Sequence, residues 1–158
     1  MIQIKEKVEE LKSNLNNKLI KLNKIFDITK KQTDVINNYN VDELNKLIDQ
    51  KQVLINEINE LDKVFEDKFA KIKKLLGVDS LEQSTDNLQE FKVIQVFITE
   101  IKDVVKRIME LEMHNSFIAE QYQKQIKESM QNSKKDIRAL NGYNSNNVQS
   151  SVFIDKKK

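Results

Sequence analysis

The chain has 158 residues, 39% hydrophobic and 33% charged, with no cysteine, no proline and a formal net charge of +2. This balance suits packed helices better than a compact globule; it excludes disulfides and thiolate metal sites, and with Lys and Arg interleaved among Asp and Glu it leaves no sustained positive face for nucleic acid. Uninterrupted apolar runs are no longer than two or three residues and Met1-Ile2-Gln3-Ile4-Lys5 leads straight into a helical pattern, so neither a signal peptide nor membrane insertion is expected.

Apolar residues recur every three or four positions, the mark of amphipathic helices. The first run is Ile4, Val8, Leu11, Leu15, Leu19, Leu22, Phe26, Thr29, Thr33 and Ile36, and it predicts a helix over 3–37. It stops at Asn37-Asn38-Tyr39-Asn40, where Asn40 can cap the next helix and Asp42 and Glu43 suit the positive end of its dipole. So short a connection folds the first two helices into an antiparallel hairpin. The second run, Val41, Leu44, Ile48, Lys51, Ile55, Ile58, Leu61, Phe65, Phe69, Ile72 and Leu76, predicts a helix over 41–76. Lys71, Lys73 and Lys74 in its last turns and Gly77 just beyond favour a stop there.

Residues 78–87 mix turn formers with Val78 and Leu81; a short helical turn around Leu81 and an N-cap at Ser84 or Asp86 are expected. The third run starts at Phe91, Ile94, Ile98 and Ile101 and continues through Val104, Ile108, Leu111, Asn115, Ile118, Tyr122 and Ile126, predicting a helix over 87–139. Its apolar face thins beyond Ile126 to Met130, Ile137 and Leu140, so its last third is expected to outrun the hairpin or to fray. The remainder, 141–158, is polar and aperiodic and reads as a disordered tail, because it has too little apolar surface to offset the entropy of ordering. The expected fold is all-α: a long antiparallel hairpin plus a third long helix, a coiled-coil-like three-helix bundle forming one domain over 1–140.

Catalytic chemistry finds little support. His114 is the only histidine, so no histidine-based metal cage or acid–base pair can form within one chain. Carboxylates stand among lysines on the solvated faces: Glu6 is beside Lys5 and Lys7, while Glu10 and Glu60 lie three residues from Lys7 and Lys63, the spacing of helix-stabilising pairs. The two glycines, Gly77 and Gly142, stand in no phosphate-binding context. The expectation is a binding protein with no cofactor and no metal.

The features that point to binding lie near the end of the third helix. Phe117, Tyr122, Ile126, Met130, Ile137 and Leu140 lie on a helix end expected to outrun its partners; Phe117 and Tyr122 are either core or part of a binding stripe, while beyond Ile126 cover from the hairpin runs out and an under-covered stripe is a groove for another amphipathic helix. Tyr143 buries nothing in its own fold if the tail is polar; it is either an accident of composition or a recognition anchor.

Several segments taken together resemble the FlgN family of flagellar export chaperones. They are Val41-Asp42-Glu43-Leu44-Asn45-Lys46-Leu47-Ile48-Asp49-Gln50-Lys51-Gln52 opening the second helix, the stop Lys74-Leu75-Leu76-Gly77-Val78, and Leu111-Glu112-Met113-His114-Asn115-Ser116-Phe117-Ile118 in the third. The tyrosine after the third helix, Tyr143, completes the likeness, although Asn144-Ser145-Asn146-Asn147 stands where the family has Asp and Gly. The resemblance implies a cytoplasmic chaperone that protects hook-associated (hook-filament junction) proteins. The stripe from Phe117 to Leu140 would hold the client and Tyr143 would dock on the export gate, with the export ATPase complex and a second copy of the chain as further partners. The alternatives are a scaffolding coiled coil acting by self-association and a chaperone of another secretion system.

Overall fold

A computed structural model describes the backbone of residues 2–77 and 88–151 and, within these, the side chains of 4–77, 89 and 91–142. Three helices make up its regular structure: α1 (Ile2–Asn37), α2 (Val41–Leu76) and α3 (Leu88–Ser151). The turn and N-cap expected within 78–87 lie outside the described residues.

The α1–α2 turn is fixed by backbone hydrogen bonds on both sides of Tyr39. The Tyr39 N–H donates to the Ile36 carbonyl and the Asn40 N–H to the Val35 carbonyl, each at 3.1 Å, while Tyr39 takes the left-handed conformation at φ 57°. This paired closure is the usual one for a left-handed helix end, here with tyrosine where glycine is commoner. Asn40 then starts the next helix, its Oδ1 accepting from the Glu43 N–H at 3.2 Å. One residue thus closes α1 and opens α2, and that is why the hairpin is tight. At the far end Gly77 is left-handed, φ 65°, and its N–H donates to the carbonyls of Lys73 and Lys74. A Cβ added at Gly77 would meet nothing within 4 Å, so Gly77→Ala carries only the backbone penalty. It should cost about 1 kcal/mol, read as a small drop in the urea midpoint with an unchanged slope.

The chain divides into two compact units, Met1–Ser116 and Phe117–Lys158. In the first, α2 runs antiparallel to α1, and α3 packs against both. The core joins Val8, Leu11, Leu15, Leu22 and Ile25 of α1 with Ile58 and Ile72 of α2 and with Phe91, Ile94, Ile101 and Ile108 of α3. Leu11, Ile72, Ile94 and Val8 are almost wholly buried, each contributing about 1.5–3 kcal/mol through removal of apolar surface from water. Ion pairs staple the hairpin from outside: Lys18 to Asp62 at 2.7 Å, Lys68 to Glu10 at 3.3 Å, and Lys21 to Glu57. Glu10 and Glu57 therefore bridge helices, whereas Glu60 keeps the expected same-helix partner, Lys63, at 3.3 Å.

Two expectations change. Ile48 and Ile55, threaded into the α2 seam, are 48% and 36% exposed, while Leu47 is buried and Leu54 half-buried. Both stripes keep three- and four-residue spacing around Lys51 and Ile58; the side on which α1 and α3 pack decides between them. The second change is that α3 does not stop near Ala139: its helical backbone runs on to Ser151, through the first part of the segment read as a tail. No proline or capping glycine intervenes, and Gly142 inside a helix costs only about 1 kcal/mol. Residues 152–158 lie outside the described residues.

Inside the first unit the seam is not uniformly apolar. Thr29, Gln32, Lys51 and Asn115 are buried together at the end nearer the hairpin turn. Asn115 Nδ2 donates to the Thr29 carbonyl at 3.0 Å, and Thr33 Oγ1 donates to Asn115 Oδ1 at 2.5 Å. Lys51 Nζ donates to Gln32 Oε1 at 2.9 Å and to the Glu112 carboxylate. Each buried polar side chain here has a partner, as a low-dielectric interior requires.

Candidate functional site

Within the second unit α3 alone carries the residues expected to bind a client. At about 100° per residue, Tyr122, Ile126, Met130, Ile137 and Leu140 fall within roughly 80° of arc, a single face. Ile126 is 48%, Met130 59%, Ile137 55% and Leu140 58% exposed, while Tyr122 is half-buried. Lys127, Lys134 and Arg138 follow one edge of this face at helical spacing, so its rim there is positive. Ser133 falls within this arc and Ser129 borders its other edge, which keeps the surface narrow.

Phe117 does not belong to that face. It is 60% exposed, but the nine positions to Ile126 make about two and a half turns and place the two on opposite sides of the helix. Tyr143, expected just beyond the helix, falls within the α3 span; its side chain lies outside the described residues.

A second apolar surface escaped the sequence reading. Val105, Met109 and Met113 line a shallow groove on α3 in the first unit, flanked by Lys102, Lys106 and Glu110. Met109 is 60% and Met113 73% exposed. The signal was the four-residue spacing 105, 109, 113, hidden because the Ile101–Ile108–Asn115 seam on the same helix absorbs the periodicity.

His114 is exposed, and among the described residues no group of three or more His, Cys, Asp or Glu could hold a metal ion. No described helix is long and apolar enough to cross a membrane.

The arrangement is a helical scaffold with large apolar side chains exposed on one face of α3. Comparison with family models gives a match to "FlgN protein" over residues 1–151, and the chain belongs to the FlgN family, the flagellar export chaperones. Searches of curated proteins and of solved structures returned no match.

Proposed function

We propose that this chain acts in the cytoplasm as the chaperone of hook-filament junction (hook-associated) proteins, holding an amphipathic helix of the client on the α3 face formed by Tyr122, Ile126, Met130, Ile137 and Leu140. The observation that carries the reading is the exposure of four large apolar side chains on one face of a helix, a surface that a second amphipathic helix would remove from water. The basic edge of Lys127, Lys134 and Arg138 favours a client helix with carboxylates along the matching side. Cover over the client's apolar face keeps it from polymerising before export, and this needs no catalytic step. Coexpression with the junction proteins of the same genome, followed by affinity capture, tests the assignment: a stable complex with one of them is expected, and recovery of the chain without any of them contradicts it.

Delivery is assigned to Tyr143, which would dock the loaded complex on the export gate. An aromatic anchor of this kind contributes about 2 kcal/mol, so Tyr143→Ala should weaken gate binding roughly thirtyfold. Helicity, melting temperature and client affinity should stay at parental values. Gate affinity within twofold of the parent, measured with the loaded complex and the soluble gate domain, contradicts the assignment.

A further inference from the structure

The three helices of the first unit share a heptad repeat, and the repeat holds an ambiguity that the polar cluster removes. Counting in sevens, α1 presents Val8, Leu15, Leu22 and Thr29; α2, in reverse, Ile72, Phe65, Ile58 and Lys51; α3, Ile94, Ile101, Ile108 and Asn115. The ion pair of Lys18 with Asp62 and the hydrogen bond of Asn115 to Thr29 set these residues level with one another, so they form four rungs. The nine members of the first three rungs are buried or packed on the core, and all are apolar. The fourth rung, Thr29–Lys51–Asn115, is polar.

Apolar rungs are interchangeable. If α3 slid by one heptad, about 10 Å along its axis, Ile101 and Ile108 would occupy places now held by Ile94 and Ile101, with nearly the same volume and chemistry. Phe91 and Phe97, replaced in place by Ile98 and Val104, would leave the shape mismatches, and cores absorb such hydrophobic swaps by repacking. The residues 78–87 joining α2 to α3 are long enough to follow the shift.

We propose that Thr29, Lys51 and Asn115, with Gln32, Thr33 and Glu112, form a register lock that selects one axial position of α3 against its heptad-shifted alternatives. Sliding one way carries Asn115 between Leu22 and Ile58, where its amide has no partner. Sliding the other way brings Ile108 against Lys51, whose ammonium then loses Glu112. Either shift leaves a buried polar or charged group unpaired, whereas the native register satisfies them all. Because polar clusters replaced by aliphatics of similar volume often leave stability unchanged or raised, the cluster acts on specificity, as a single buried asparagine does in coiled coils.

The test uses the absence of native cysteine. Spin labels on Asp34→Cys of α1 and Glu100→Cys of α3, both exposed positions, report the axial offset by pulsed electron–electron distance measurement. The parent should give one narrow distance. The variant Thr29→Val, Gln32→Leu, Lys51→Leu, Asn115→Leu should keep its helicity, melt at the parental temperature or above, and add a population displaced by about 10 Å. Asn115→Ile alone should add a smaller population at the same displacement. A single unshifted distance in the four-site variant overturns the lock. Loss of helicity in that variant overturns it too, since the cluster would then hold the fold together instead of choosing its register. As a control, exchanging Leu22→Ile and Ile108→Leu should leave the single distance intact; a shifted population there would place register selection in the apolar rungs and also overturn the proposal.

Discussion

Replacing Ile101 by aspartate should cost the bundle about 3–5 kcal/mol, because the side chain is 8% exposed and the new carboxylate would be buried within the apolar cluster. That is a large share of the roughly 5–15 kcal/mol that stabilises an ordinary domain. Urea unfolding should show a markedly lower midpoint, and thermal melts a fall of more than 10 °C by the usual conversion for a unit of this size. The same change at Ile48, 48% exposed on α2, should alter stability by no more than about 0.5 kcal/mol. Comparable losses at both sites would mean that α2 packs with the other of its two apolar stripes.

The second large effect is expected on binding. Changing Met130, Ile137 and Leu140 together to serine removes three of the exposed apolar side chains of α3 and leaves the buried core of the first unit untouched. If the client helix covers about half of each side chain, the loss approaches 4 kcal/mol, on the order of a thousandfold in affinity. Circular dichroism should change little, since serine costs a helix only about 0.5 kcal/mol per position relative to good helix formers. Retained binding together with a collapse in stability would make these residues core and move the client site elsewhere.

Much of the fold was legible because the sequence punctuates it. Asn40 as N-cap and Gly77 as C-cap both carry chemistry that few residue types can supply, and both helix ends fall where those residues stand. The phase of α2 was not legible. Leu47 and Ile48 are equally apolar neighbours, and only the position of the partner helices decides which turns inward. The end of α3 was hidden for a different reason: periodicity records the need to bury a face, so it faded after Ile126 although the backbone stays helical to Ser151. Lys51, Thr29 and Asn115 kept the seam spacing without its chemistry, and their roles emerged only once Gln32, Thr33 and Glu112 were seen beside them. For the client face, exposure at Ile126, Met130, Ile137 and Leu140 fits the thinning pattern, while helical phase sets Phe117 apart from them. The groove of Val105, Met109 and Met113 shows how a second stripe on one helix is masked by the first.

The most direct measurement of the central claim is hydrogen exchange on the chain with and without a bound junction protein. Exposed backbone on a helix face that becomes covered opens less often and exchanges more slowly. The account predicts added protection concentrated in residues 122–140 of α3, with the α1–α2 hairpin exchanging as in the free chain. Protection appearing on the hairpin and none across 122–140 would contradict it.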